Sequence, residues 1–240
     1  MENKNIISAR KVMHVVGSLS LILAPLLLII GWALNYDSLT SFFVDTFSNP
    51  YLTKGKSVPG QEFLTTITGP DNGFRYLLLP HYFIYAAMPM LIAAAMFLAK
   101  LLFKKAPWHA LVGATLTTVG AVYFTGVLGA YLSLPAVANV PIDQAGNLLL
   151  ILNAVTAPEG ILLVSIILSV LVFVGMIVLG LGLYKSRIIP GWSASLIVLG
   201  NIIILAAAGT ENFMVIGSLL MLIGLFPITI RMIHMPSSEI

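Results

Sequence analysis

An all-α, polytopic transmembrane bundle of six spans is the fold class this sequence predicts, and three observations predict it. Only 9% of its 240 residues are charged and 59% are hydrophobic, with a mean hydropathy of +1.01; a soluble domain carries about 25% charged residues. Six apolar stretches each have about the 20 residues that a helix needs to cross a bilayer core. The basic residues fall at every second connection between those stretches. A single transmembrane domain covering residues 1–240, solvated by lipid, satisfies all three.

The first stretch, Val12–Tyr36, follows Arg10 and Lys11. Its apolar run is longer than the roughly 7–15 residues of a signal-peptide core, and no small-x-small cleavage site follows, so it reads as a retained helix. The second, Arg75–Leu102, leaves a polar turn (Gly69 to Gly73) and contains Pro80 and Pro89, which are expected to kink it. Next come Trp108–Leu132, Pro158–Tyr184, Pro190–Gly209 and Asn212–Met232. Pro25 and Pro227 are expected to bend the first and last. The links Phe103–Pro107 and Lys185–Ile189 are short and join antiparallel neighbours.

Two other links are long and form an outer cap over residues 37–74 and 133–157. In the first, Leu39, Phe42, Phe43, Thr46 and Phe47 recur at helical spacing behind a capping Asp37 or Ser38. This pattern predicts a short amphipathic helix lying on the membrane surface. The second contains NLLLILNAV, too short to span, which predicts an interfacial or re-entrant helix.

Charge fixes the expected orientation. Nine of the twelve Lys and Arg residues lie in the N-terminal segment, the short links or the C-terminal segment, against Glu2 and Glu239 as acids, a balance of +7. The opposite side holds Lys54, Lys56 and Arg75 against seven acids, a balance of −4. The positive-inside rule then places both ends in the cytoplasm. Three spans plus three are compatible with an inverted repeat, but residues 12–132 and 158–232 share no supporting similarity.

The richest polar group lies where the chain re-enters the bilayer from the cap. Arg75, His81, Tyr82 and Tyr85 sit at the outer end of the second span, Glu159 at that of the fourth and Glu211 at that of the sixth. Ionisable groups in a membrane are costly and face a bundle interior or a wet cavity. These six residues are therefore the candidate ligand-binding pocket, with Arg75 as an anion anchor partnered by Glu159 or Glu211. The same acids at helix starts also serve as ordinary caps that favour the helix dipole. His14 and His109 share an inner depth, as two axial haem ligands do, but no haem-attachment motif or zinc-type His pair accompanies them, and no cofactor or metal is expected. Asn201, Tyr123, Thr125, Tyr131, Ser165 and Ser169 read as interhelical hydrogen-bonding groups. Gly113, Gly120, Gly126, Gly129, Gly175, Gly180 and Gly182 read as points of close helix approach.

Several function classes are disfavoured. No Asp, Glu, Lys, Arg or His lies near the middle of a span, where ion-coupled transporters carry one. No phosphate-binding glycine loop, HExxH or GxSxG motif is present, and with no Cys there is no thiol chemistry. The inner tails are expected to be too short for a catalytic or nucleic-acid-binding domain.

From Tyr184 to Met232 the chain carries Arg187, Pro190 and Trp192 entering one span, a short outer turn, and Pro227 near the end of the next. This pattern resembles small six-span bacterial inner-membrane proteins of unknown function, over about a fifth of the chain. The resemblance implies a six-helix bundle in a bacterial cytoplasmic membrane, and no activity.

Three readings follow. The foremost is a non-enzymatic membrane component, either an accessory subunit beside another membrane protein or a binder of a lipid or other apolar ligand under the cap. The second is an uncoupled transporter, which requires a cavity running from the cap past Tyr85 towards Asn201. The third is a membrane-embedded enzyme using His81 with Glu159 or Glu211 as acid and base, which requires those groups within hydrogen-bond reach. Membrane lipids are expected partners in every case, and nucleic acid in none.

Overall fold

The structure, a computed structural model, describes residues 2–34, 78–138, 160–206 and 211–234. Every element among the described residues is helical: α1 (Glu2–Ala33), α2 (Leu79–Leu102), α3 (Pro107–Ala138), α4 (Gly160–Ser169), α5 (Leu171–Ser186), α6 (Gly191–Ala206) and α7 (Glu211–His234). Five stretches are long and apolar enough to cross a membrane: His14–Ala33, Leu79–Leu102, Pro107–Gly129, Leu163–Ser186 and Asn212–Met232. The chain is thus an integral membrane protein by length and composition of its helices. The expected fifth span, Pro190–Gly209, is the exception. Its described helix has 16 residues, about 24 Å at 1.5 Å per residue, short of a core roughly 30 Å thick.

Helix boundaries depart from the sequence expectation in three informative ways. First, α1 begins at Glu2, well before the apolar run starting at Val12, so its first turns lie outside the apolar stretch. Second, α3 runs through Pro135 to Ala138, beyond the expected end at Leu132; a proline removes only one hydrogen bond from a helix. Third, Pro80 does not kink α2. It sits in the first turn, where its missing N–H is unneeded and its fixed φ suits the helix. Pro89, Pro25 and Pro227 do lie inside their helices.

The expected fourth span is two helices, α4 and α5, in series. At the joint, Val170 keeps right-handed helical angles (φ −56°, ψ −29°). Its carbonyl accepts from both Phe173 N and Val174 N, at 3.2 and 3.3 Å. One turn earlier, the Ser169 hydroxyl donates to the Ile166 carbonyl at 2.6 Å. That carbonyl is the acceptor the helix ladder reserves for Val170, so side chain and backbone compete for it.

The helices form a ring in chain order. Neighbours α1–α2, α2–α3, α3–α5, α5–α6 and α6–α7 pack together, α7 returns to α1, and α2 also reaches α5 across the middle. The core runs through Leu21, Leu28, Leu91, Leu98, Leu179, Leu183 and Ile197, all fully or almost fully buried. In lipid, helix association draws on close packing and hydrogen bonds, not on water exclusion, and the contacts reflect that. On the α3–α5 seam, Gly113 lies under Leu179 and Gly120 lies against the backbone of Leu171 and Val172. On the α6–α7 seam, Gly200 faces Gly217, and one heptad away Ser193 faces Gly224. There the Ser193 hydroxyl donates to the Gly224 carbonyl at 2.6 Å.

Short turns close one end of the ring. Lys105 N and Ala106 N both bond to Leu102 O before Pro107 starts α3. Arg187 ends α5 in the left-handed region (φ 51°), the one non-glycine residue with positive φ among those described. Arg231 on α7 donates to the Ile188 carbonyl at 2.8 Å, tying the last helix to that turn.

Candidate functional site

The structure places the six expected pocket residues unequally. Arg75 and Glu159 lie outside the described residues, as do both expected cap helices. Glu211 begins the backbone of α7. His81 is partly buried in the first turn of α2 and has an interaction partner. Tyr82 and Tyr85 are 49% and 40% exposed. They share a stripe with Pro89, Met96, Lys100 and Phe103, on the face of α2 opposite buried Ile84, Met88, Leu91 and Leu98. A helix repeats its faces at i+3 and i+4, so both tyrosines point away from the side that packs into the ring.

The fully buried polar side chains among the described residues are small and uncharged apart from the Trp32 indole, and the half-buried His14 adds one buried ring nitrogen. Among the described residues, the buried polar side chains are Ser18, Ser20, Thr117, Ser193, Asn201, Asn212, Ser218 and Thr229. Three of the hydroxyls satisfy themselves within their own helix: Ser20 on Gly17 O (2.7 Å), Thr117 on Gly113 O (2.9 Å) and Thr229 on Leu225 O (3.3 Å). Asn201, fully buried, donates from Nδ2 to Ile197 O (2.8 Å) and to the Met221 sulfur (3.5 Å). Its Oδ1 accepts nothing, and neither do the hydroxyls of Ser18 and Ser218 take part in a hydrogen bond. His14 meets Phe97 edge-on at 6.0 Å, between α1 and α2, while the Cβ of His109 lies beside Gly182, between α3 and α5. The two histidines therefore serve different seams, and no cluster of metal-ligating side chains occurs among the described residues.

Among the described residues, grooves open sideways on the bundle, two of them near one end. The larger, about 460 Å³, lies between α2 and α3 and is lined by Met96, Lys100, Phe103, Ala110, Leu111, Ala114 and Thr115 among others. The smaller, about 290 Å³, lies between α5 and α6, with Leu181, Tyr184, Ser195 and Leu199 among its walls. Both sit at the end that carries the short turns. Exposed aromatics ring that end: Phe103, Trp108, Tyr184 and Trp192. Aromatic rings gather at the headgroup level of a bilayer, so this belt marks one membrane boundary. Sequence reasoning had placed a site at the opposite end. It missed the grooves because they are made by small residues (Ala110, Ala114) one helical turn apart, a signal indistinguishable in sequence from ordinary packing.

No family model, curated protein or solved structure matches the chain. The class that the fold defines is that of polytopic α-helical integral membrane proteins.

Proposed function

We propose that this chain is a non-enzymatic membrane component, crossing the bilayer six times with both ends on the lysine-bearing, cytoplasmic side of a bacterial inner membrane. It acts as an accessory subunit of a membrane complex, or holds a lipid or other apolar ligand beneath its outer cap. One observation carries this reading: the buried polar set contains no ionisable side chain among the described residues. Backbone-level packing at Gly120, Gly200 and Gly217 supports it, because helices in contact without side chains between them leave little room for a moving solute. Activity then belongs to the flanks and the cap.

Native mass spectrometry of protein gently extracted from its own membrane tests the reading. A co-isolated polypeptide, or a discrete small-molecule increment above the 25.8 kDa chain, is the expected result. A bare chain in every preparation contradicts it.

A second reading, an uncoupled facilitator, draws support from the buried unpaired oxygens of Asn201, Ser18 and Ser218. A buried polar atom without a partner costs roughly 1–3 kcal/mol, and a passing polar solute offsets that cost. Flux of small neutral solutes into proteoliposomes, abolished by Asn201→Leu, is the result that favours this reading over the first.

A further inference from the structure

We propose that the groove between α2 and α3 binds an anionic glycerophospholipid, with one acyl chain along the groove and the phosphate on Lys100, Lys104 and Lys105. The inference rests on the chain being a membrane protein and is independent of the subunit reading.

Shape comes first. Ala110 and Ala114 of α3 are buried and form a floor with almost no side chain above it, while Met96, Phe103 and Leu111 stand exposed as walls. The volume of about 460 Å³ falls within the roughly 300–1,000 Å³ of small-molecule sites. Along α3 the lining runs from Ala110 to Val119, about 14 Å at 1.5 Å per residue. A hydrocarbon core roughly 30 Å thick gives each leaflet about 15 Å. The groove therefore has the length of one leaflet's chain and a width set by one helix gap.

Charge selects the headgroup. Lys100 lines the groove itself, and Lys104 and Lys105 follow in the exposed turn at its mouth. None of the three makes an ion pair among the described residues, whose only acids are Glu2 and Glu211. The N-terminus of α3 opens at the same turn, adding the positive end of its dipole. Trp108, 73% exposed, stands beside it and marks the headgroup depth. Basic pockets between helices on the cytoplasmic side recognise phosphate-bearing lipid headgroups. The α5–α6 groove provides an internal contrast: it is open and apolar too, but no cation lines it.

The test uses delipidated full-length protein titrated with phosphatidylglycerol or phosphatidylcholine of identical acyl chains, with bound lipid counted by native mass spectrometry. Phosphatidylglycerol is expected to bind in preference, losing about fivefold in affinity for each of K100Q, K104Q and K105Q, and on the order of a hundredfold for the triple variant. Thr115 is exposed within the groove, so T115W fills the space without entering the core and is expected to abolish the preferred binding. S195W, blocking the other groove, is expected to leave it intact. Equal binding of the two lipids, or a triple variant that keeps its preference, overturns the proposal. Preference that survives T115W shows a headgroup contact without the groove and overturns it as well.

Discussion

Replacing Gly217 by alanine probes the packing account at a seam where one helix backbone touches another. An added Cβ there lies 2.5 Å from the Gly200 carbonyl oxygen and 2.6 Å from Ile204 Cγ1, where ordinary contact begins at 3.4 Å. The carbonyl is backbone and cannot rotate aside. Relief requires α6 and α7 to separate by about 1 Å, an overpacking strain of about 1–3 kcal/mol. The Ser193–Gly224 hydrogen bond one heptad along is stretched by the same movement, at about 0.6 kcal/mol for an average interhelical bond. Alanine's better helix propensity returns up to about 1 kcal/mol. The net expectation is a loss of about 1–2 kcal/mol. Gly129 is the control: among the described residues an added Cβ meets nothing within 4 Å, so Gly129→Ala is expected to be neutral or to gain up to about 1 kcal/mol. Reversible unfolding in mixed micelles measures both. A Gly217→Ala protein as stable as Gly129→Ala refutes the claim that these seams are held at backbone contact.

Other substitutions separate the remaining contributions. Ser193→Ala removes the 2.6 Å bond to Gly224 and is expected to cost about 0.6 kcal/mol in the same unfolding assay, less than Gly217→Ala. Asn201→Leu replaces a side chain whose Oδ1 is unpaired, and stability within about 1 kcal/mol of wild type is expected. Arg187→Gly releases a left-handed residue and is expected to raise stability by about 1 kcal/mol in a thermal melt. The chain has no native cysteine, so single cysteines report topology cleanly. Those at Lys104 and Arg187 are expected to label from one side of the membrane and one at Asp71 from the other; labelling of Lys104 and Arg187 from opposite sides refutes six crossings.

Much of the architecture was legible in the sequence because lipid imposes a simple rule: a helix must be long and apolar enough to span. That rule located five helices within a few residues. It did not foresee the joint at Val170, since Ser169 competing for the Ile166 carbonyl is a local event inside an unbroken apolar run. Nor did it rank the glycines correctly. Gly113, Gly120, Gly175, Gly180 and Gly182 do mark close approach, but among the described residues nothing meets Gly126 or Gly129, and Gly200 and Gly217 are points of close approach as well. Spacing alone cannot say which side of a helix meets a neighbour. The outer polar group was legible as composition but not as geometry: Tyr82 and Tyr85 face away from the packed side of α2, and Arg75 and Glu159 lie outside the described residues. The lysines at the opposite end were read only as an orientation signal. Their position at the mouth of a groove depends on α2 and α3 packing side by side, a tertiary fact.

A non-transporting component, as proposed above, has no water-filled path through its bundle. Asn201, midway along α6 and fully buried, is the place to test it. In intact membranes, a cysteine at position 201 is expected to resist a water-soluble thiol reagent from either side, while a cysteine at 104 reacts to completion. Rapid modification at position 201 contradicts the account and favours a facilitator.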